Sequence, residues 1–170
     1  MPKSKKVSDT NLIGSRAERF VELLLKTPTS KGFLFDVARL PDKWPTVDLY
    51  VEVREGQYCK AFFFIQVKGT DKGIKNGLLQ KSISNRDLTR LAEFHAPCYV
   101  VGVDTSSIAP AELQAYIVAP VGTFKSGLSA IPTDHSLADN LQELYDEVLA
   151  FWKAMDIPNR KKVFKSKYKI

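Results

Sequence analysis

The sequence predicts an α/β or α+β fold, in which a mixed central β-sheet is flanked by helices. Three patterns carry this prediction. Segments 11–26 and 136–155 repeat apolar residues at intervals of three and four, as amphipathic helices do. Segment 47–55 alternates apolar and polar residues, as a strand with one buried face does. Segment 60–69 is apolar on both faces until Gln66, which is typical of a strand in the middle of a covered sheet.

Each predicted boundary has a local reason. Pro28 and Pro158 end helices, because proline lacks an amide hydrogen and restricts the residue before it. Gly56 supplies the turn between two strands. Ser84 can cap a helix, and Asp87 at the third helical position completes a box-like pattern. In chain order we predict helix 11–26, strands 32–40, 47–55 and 60–69, loop 70–82, helix 85–95, strands 96–104 and 112–120, loop 122–133 and helix 136–155.

The composition is that of an ordinary globular protein. The chain has 170 residues, of which 44% are hydrophobic and 26% charged, and this excludes a disordered or collagen-like chain. We expect one domain over residues 1–159. No run approaches the ~18 apolar residues of a membrane span, and the N-terminal lysines precede no apolar stretch, so we expect a cytoplasmic protein without membrane association. Cys59 and Cys98 are predicted to be buried free thiols.

The positive charge is concentrated in a C-terminal tail, residues 160–170. The tail holds six of the 25 basic residues and no acid, which leaves 19 basic residues against 19 acidic ones elsewhere. Basic residues interleaved with aromatic ones suit a nucleic-acid backbone and its bases. We therefore predict nucleic-acid contacts for Arg160, Lys161 and Lys162. The alternative is a solvated tail that only aids solubility.

Three polar side chains interrupt the apolar strands. Gln66 and Lys68 are two residues apart in one strand, so their side chains leave the sheet on the same face. If the hairpin turns near Gly56, antiparallel pairing sets Asp48 opposite or diagonal to Gln66, within about 4.5–8 Å. A carboxylate, an amide oxygen and an ammonium group are therefore expected to meet at one end of the sheet.

Two interpretations of this polar cluster remain open at the level of the residues. Asp48 and the carbonyl oxygen of Gln66 are ligands that a hard cation such as Mg²⁺ prefers, and Lys68 can stabilise charge on a phosphate. Alternatively the cluster is structural. Lys68 then pairs with Asp48, and Gln66 satisfies a backbone group, since burying a polar group unpaired costs about 1–3 kcal/mol.

Four short segments resemble those of the PD-(D/E)XK nuclease superfamily. They are GSRAE (14–18), VDL (47–49), IQVKG (65–69) and the strand APCYVVGVD (96–104). The resemblance covers about residues 11–120. It is strongest to archaeal-type Holliday junction resolvases, Mrr-like restriction endonucleases and related uncharacterised bacterial domains. It implies a restriction-endonuclease-like fold.

The resemblance also implies an activity and a set of site residues. Glu18 takes the place of the first-helix glutamate that binds or orients the metal, Asp48 that of the central metal ligand, and Lys68 that of the catalytic lysine. Gln66 stands where Glu or Asp is usual, and an amide is a weaker magnesium ligand than a carboxylate, although Mrr-like members also have glutamine there. The implied function is a metal-dependent DNA endonuclease with a D-QxK site and Mg²⁺ or Mn²⁺ as cofactor. RNA is the alternative substrate, and such enzymes often form homodimers.

Other interpretations accompany this one. Lys72, Lys75 and Lys81 follow the catalytic strand, where a nuclease would place the nucleic-acid backbone, but they also suit a flexible solvated loop. Glu18 also suits a solvated helix face. The main alternative function is a catalytically inactive nuclease-fold module that binds nucleic acid or a partner protein. A third possibility is a purely structural domain.

Overall fold

A computed structural model describes residues 9–41, 44, 46–120 and 126–155 of the chain. The predicted contacts of the tail, at Arg160, Lys161 and Lys162, lie outside these residues. None of the described helices is long and apolar enough to cross a membrane. The elements are α1 (Asp9–Leu25), β1 (Phe35–Arg39), β2 (Leu49–Glu55), β3 (Tyr58–Thr70), β4 (Ile74–Lys75), β5 (Leu78–Leu79), α2 (Asn85–Ala92), β6 (Cys98–Asp104), a 3₁₀ turn (Pro110–Glu112), β7 (Gln114–Val118), β8 (Ile131–Pro132) and α3 (Leu141–Ala154).

The central sheet is mixed and flanked by helices, as predicted. Its strand order is β1-β2-β3-β6-β7. β1, β2 and β3 form an antiparallel meander, β6 runs parallel to β3, and β7 is antiparallel to β6. Since parallel neighbours require a crossover, the chain between β3 and β6 must cross a face of the sheet, and it carries α2 there.

The two faces of β3 have different partners. On one face, Phe63 and Ile65 are fully buried in a core that includes apolar residues of α1 and α3. On the other face, Phe64 packs against a second core formed by α2 and the small strands β5 and β8. Because side chains alternate along a strand, Gln66 and Lys68 lie on this second face. The polar residues of β3 are thus covered by α2 and not by α1.

The register of the β2–β3 hairpin determines which residues face each other at its open end. The hairpin turns at Gly56, as predicted. A bulge within the hairpin shifts the pairing by one residue, and beyond it Leu49 pairs with Ile65. Asp48, immediately before β2, lies beside Gln66, because its amide donates to the Ile65 carbonyl at 2.8 Å and its Oδ2 accepts the Val67 N–H. The predicted proximity of Asp48 to Gln66 is confirmed.

The prediction of a loop over 70–82 is wrong. This segment contains β4 and β5, joined by a tight turn in which Asn76 and Gly77 have φ values of 52° and 69°. β5 in turn pairs with β8, inside the other predicted loop. Leu79 and Ile131 from these strands are fully buried against the central sheet. Strands of two residues show no alternation, although Asn-Gly is a recognised hairpin signal.

Three smaller predictions also need correction. The last helix begins at Leu141 and not at 136, because residues 135–137 form backbone hydrogen bonds with β7. The middle helix, predicted to run to 95, ends at Ala92. Cys98 is buried, but Cys59 is exposed, since it lies beside the hairpin turn, beyond the helices that cover the sheet. Neither cysteine forms a disulfide.

Helix α1 crosses β3 at Gly69, directly after Lys68. A Cβ added at Gly69 would lie 2.9 Å from both the Ala17 Cβ and the Ile13 carbonyl oxygen. Only a residue without a side chain permits this approach. The contact fixes α1 against the strand that carries the polar cluster.

We expect Gly69→Ala to lower the free energy of unfolding by about 1–3 kcal/mol, because the added methyl group overpacks this contact. Gly14→Ala is the matched control. Gly14 lies within α1 with no atom within 4 Å of an added Cβ, and alanine favours a helix by up to about 1 kcal/mol. Urea denaturation of both variants measures the two effects. An unchanged or increased stability in Gly69→Ala would contradict the close packing of α1 on β3.

Candidate active site

The Asp48 carboxylate is held by the backbone of the neighbouring strand. Asp48 precedes β2, where the chain has left the regular strand, and its Oδ2 accepts the Val67 N–H at 2.6 Å. Its own amide donates to Ile65, so both ends of the residue are tied to β3. The carboxylate is therefore fixed beside Gln66 and Lys68.

Burial raises the pKa of Asp48 above its ordinary value of 3.8. The Val67 N–H and the positive charge of Lys68 lower this pKa, and the negative charge of Asp87 raises it again. Desolvation is the largest of these effects. The site thus holds a carboxylate whose ionised form is destabilised and would gain from a nearby cation.

Gln66 has a buried oxygen without a partner. The residue is only 4% exposed, and its Oε1 accepts no hydrogen bond from the described residues. Leaving such an atom unpaired costs about 1–3 kcal/mol. The structural interpretation, in which Gln66 satisfies a backbone group, gives this oxygen nothing to bind.

Lys68 pairs with Asp87 of α2, and not with Asp48 as the structural interpretation expected. The Lys68 Nζ lies 3.3 Å from Asp87 Oδ2, and each side chain is 24% exposed. Asp87 occupies the third position of α2, where its amide donates to the Ser84 hydroxyl at 3.1 Å. The predicted Ser84 cap is confirmed, and it sets the turn of α2 that brings Asp87 to Lys68.

Asp87 is a site residue that the sequence pattern did not indicate. In the sequence it is recognisable only as part of a helix cap. A usable signal existed, because a helix between two parallel strands must pack on one face of their sheet. The apolar residues Leu88 and Leu91 form the buried side of α2, and Asp87 borders that side. What the sequence did not show was which face α2 covers.

A strained residue lies two positions before Asp48. Thr46 has a φ of 80°, a conformation that a β-branched residue rarely adopts and that costs of order 1–3 kcal/mol. Its hydroxyl lies 3.4 Å from Arg90 Nη1. Arg90 is three positions after Asp87, so both face the same side of α2. Arg90 is a second residue that sequence analysis missed, and it adds a positive charge beside the segment that leads into Asp48.

Glu18 lies on a different element from the other predicted site residues. It is half-buried on α1, one position after Ala17, which packs on Gly69. Helix α1 covers the face of the sheet opposite to that of Gln66 and Lys68. A role for Glu18 in binding metal stays a prediction.

The structure separates the three lysines of this segment that are predicted to bind nucleic acid. Lys72 and Lys81 line a cleft at the end of β3. Lys75 is exposed on β4, outside that cleft.

The donor set fits a hard cation better than a transition metal. In the described part of the chain, no three His, Cys, Asp or Glu side chains group so that they could hold a metal ion. Asp48 and Gln66 present oxygen only, and Mg²⁺ characteristically takes one or two carboxylates and completes its shell with water and phosphate oxygens. The unpartnered Gln66 Oε1 is suited to such a ligand.

Comparison of the chain with protein-family models, with curated proteins and with solved structures found no match. The geometry of the site is therefore the basis for its functional interpretation.

We expect Asp48→Asn to become progressively more stable, relative to the natural protein, as the pH rises through the range just above 3.8, the ordinary pKa of aspartate. In that range the folded protein binds more protons at Asp48 than the unfolded chain does, so stability from Asp48 falls with rising pH. Urea unfolding at a series of pH values measures this.

The control is Asp134→Asn, which removes an exposed carboxylate outside the site. A stability difference between Asp48→Asn and the natural protein that is constant or shrinks with rising pH would contradict the raised pKa.

Proposed function

We propose that the protein is a metal-dependent endonuclease with a restriction-endonuclease-like fold, which hydrolyses phosphodiester bonds in DNA. The observation that carries the proposal is the buried Oε1 of Gln66, which has no partner among the described residues and lies beside the fixed Asp48 carboxylate. Two oxygen donors with few internal partners, next to a lysine, suit a cation and a phosphate together.

The topology supports the same proposal. A first helix, an antiparallel meander, a crossover helix and a parallel strand follow each other in the order in which the resembling segments occur. The polar residues of β3 lie where the β2–β3 hairpin opens, beyond the last residue pair of that hairpin.

Asp48 and Gln66 are the residues that would hold Mg²⁺ or Mn²⁺. A divalent cation there supplies Lewis-acid stabilisation of negative charge on the phosphate. The hydrogen bond from Val67 keeps the Asp48 carboxylate in place for this role. Burial of Gln66 keeps its amide oxygen from being satisfied by bulk water.

Lys68 supplies the positive charge nearest to these ligands. When water attacks the phosphorus atom, a new P–O bond forms, the bond to the leaving oxygen breaks, and that oxygen takes up a proton. Negative charge builds up on the non-bridging oxygens, and the Lys68 ammonium can donate a hydrogen bond to one of them. Asp87, 3.3 Å away, orients the ammonium group before the substrate arrives.

A specific observation favours a second candidate, the inactive nuclease-fold module. Gln66 is neutral, and the described residues contain no group of three metal-binding side chains of the usual types. Such a module would bind nucleic acid through its basic residues without cutting it, and would lose affinity when residues 160–170 are removed.

We expect Lys68→Ala to reduce metal-dependent cleavage by about 10²-fold or more, as the removal of one preorganised donor typically does. The assay uses labelled linear, branched and single-stranded DNA and RNA, in Mg²⁺, Mn²⁺ or EDTA. Lys31→Ala, which removes an exposed lysine after the far end of α1, is the matched control. Because the Lys68–Asp87 pair is partly exposed, the stability of Lys68→Ala should fall by less than about 1 kcal/mol.

The outcomes separate the candidates. Cleavage that survives Lys68→Ala contradicts the proposed site. Salt-dependent binding without cleavage by the natural protein favours the inactive module. A loss of about 3–5 kcal/mol in stability favours the purely structural cluster.

A further inference from the structure

A polar cleft of about 250 Å³ opens where β3 ends, between the first turns of α1 and the segment that leads into α2. Lys72 and Lys81 line it, together with the hydroxyl-bearing residues Thr10 and Ser82. Neither lysine forms an ion pair with the residues that the structure describes. The cleft therefore offers two free ammonium groups and two hydroxyl groups to a ligand.

The cleft adjoins the end of β3 that follows Lys68. Thr70 lies on the same face of β3 as Lys68, two positions further along, and also lines the cleft. Two residues of an extended strand span about 6.7 Å, which is similar to the distance between successive phosphates of one nucleic-acid strand. A strand with one phosphate at Lys68 can thus place its neighbour at the cleft.

Thr70 also builds the cleft. Thr70 is 5% exposed, and its hydroxyl donates to the Gln80 carbonyl at 3.0 Å. The Thr70 hydroxyl oxygen also accepts the Lys72 N–H at 3.2 Å. These two bonds hold together the segments that carry Lys72 and Lys81. The two lysines consequently border one cleft although nine positions separate them in the chain.

Asp71 is the opposing charge in the cleft, which it lines as an exposed residue. It offsets one of the two lysines, so the net charge of the lining is that of a single cation. A phosphodiester group carries one negative charge, and its oxygens accept hydrogen bonds from ammonium and hydroxyl groups.

We propose that this cleft binds the phosphate group next to the one that is cleaved. The inference rests on the proposed nuclease function and deepens it, because it makes the substrate a polynucleotide strand. A cleft that binds the neighbouring phosphate positions the strand along β3 and brings the scissile phosphate to Asp48, Gln66 and Lys68.

The first test uses an oligonucleotide with one cleavage site, in which a neutral methylphosphonate replaces each phosphate in turn. In the natural protein, replacement of one phosphate that flanks the cleaved bond should slow cleavage by about tenfold or more, the effect of one lost charge-assisted hydrogen bond. Lys81→Ala should slow cleavage of the unmodified strand similarly, and the flanking replacement should then have little further effect. Lys81→Arg, which keeps the charge, should restore most of the rate and the sensitivity.

The matched control is Lys31→Ala, an exposed lysine after the far end of α1 and outside the cleft. The flanking methylphosphonate should slow cleavage by this control variant as strongly as it slows cleavage by the natural protein. If the flanking methylphosphonate slows cleavage by Lys81→Ala as strongly as it slows cleavage by the natural protein, the proposed subsite is overturned. Equal effects of the Lys31 and Lys81 substitutions would overturn it as well, since these would indicate diffuse positive charge.

A binding measurement without turnover separates this inference from the nuclease proposal. In EDTA, Lys81→Ala should reduce the slope of log affinity against log salt concentration by about one, as the loss of one phosphate contact does. Asp71→Asn should act in the opposite direction and tighten binding. If both binding effects are seen but no cleavage occurs, the phosphate subsite stands and the nuclease proposal is overturned. If cleavage occurs without either binding effect, the nuclease proposal stands and the subsite is overturned. If the protein does not bind nucleic acid, both proposals are overturned.

Discussion

The hydrogen bond from the Val67 amide to the Asp48 carboxylate determines the geometry of the whole site. At 2.6 Å, it ties the segment before β2 to β3 at the point where the hairpin opens. The bond depends on the register that the bulge in the hairpin sets, which pairs Leu49 with Ile65 and so brings Asp48 beside Gln66. A shift of one residue would send the Asp48 side chain to the opposite face of the sheet, among the apolar residues of α1 and α3. The polar cluster therefore depends on one extra residue in one strand.

Three features near this hydrogen bond are energetically unfavourable. The pKa of Asp48 is raised by burial, the Gln66 oxygen has no partner in the described structure, and Thr46 has a strained backbone. A cluster that served stability alone would pair these groups with each other, as Lys68 pairs with Asp87. Strained and unpaired groups in one place are characteristic of sites that act on a ligand. Because these destabilising features occur together, they support a functional interpretation of the cluster over a purely structural one.

Much of the site could be predicted from the sequence because a strand has a period of two. Gln66 and Lys68 had to share a face, and the turn at Gly56 brought Asp48 to the end of the hairpin where Gln66 lies. The bulge that sets the final register was not predictable from the pattern. Helices and strands of the main sheet followed from apolar spacing in the same way. The small strands β4, β5 and β8 did not, since two residues carry no periodic signal and their role is to cover the sheet. Asp87 and Arg90 joined the site through the packing of α2, a contact between distant segments that no local pattern encodes.

The most direct test of the account is a paired measurement of stability and activity in Gln66→Met, which keeps the shape of the side chain and removes its oxygen. If the oxygen serves a cation, the variant should unfold with a free energy about 1–3 kcal/mol higher, because a buried unpaired acceptor is gone, and should lose metal-dependent cleavage. Gln66→Glu should do the opposite, with lower stability in EDTA and cleavage at lower metal concentration. A variant Gln66→Met that is less stable, or that still cuts with metal, would contradict the central claim that this glutamine is kept for function.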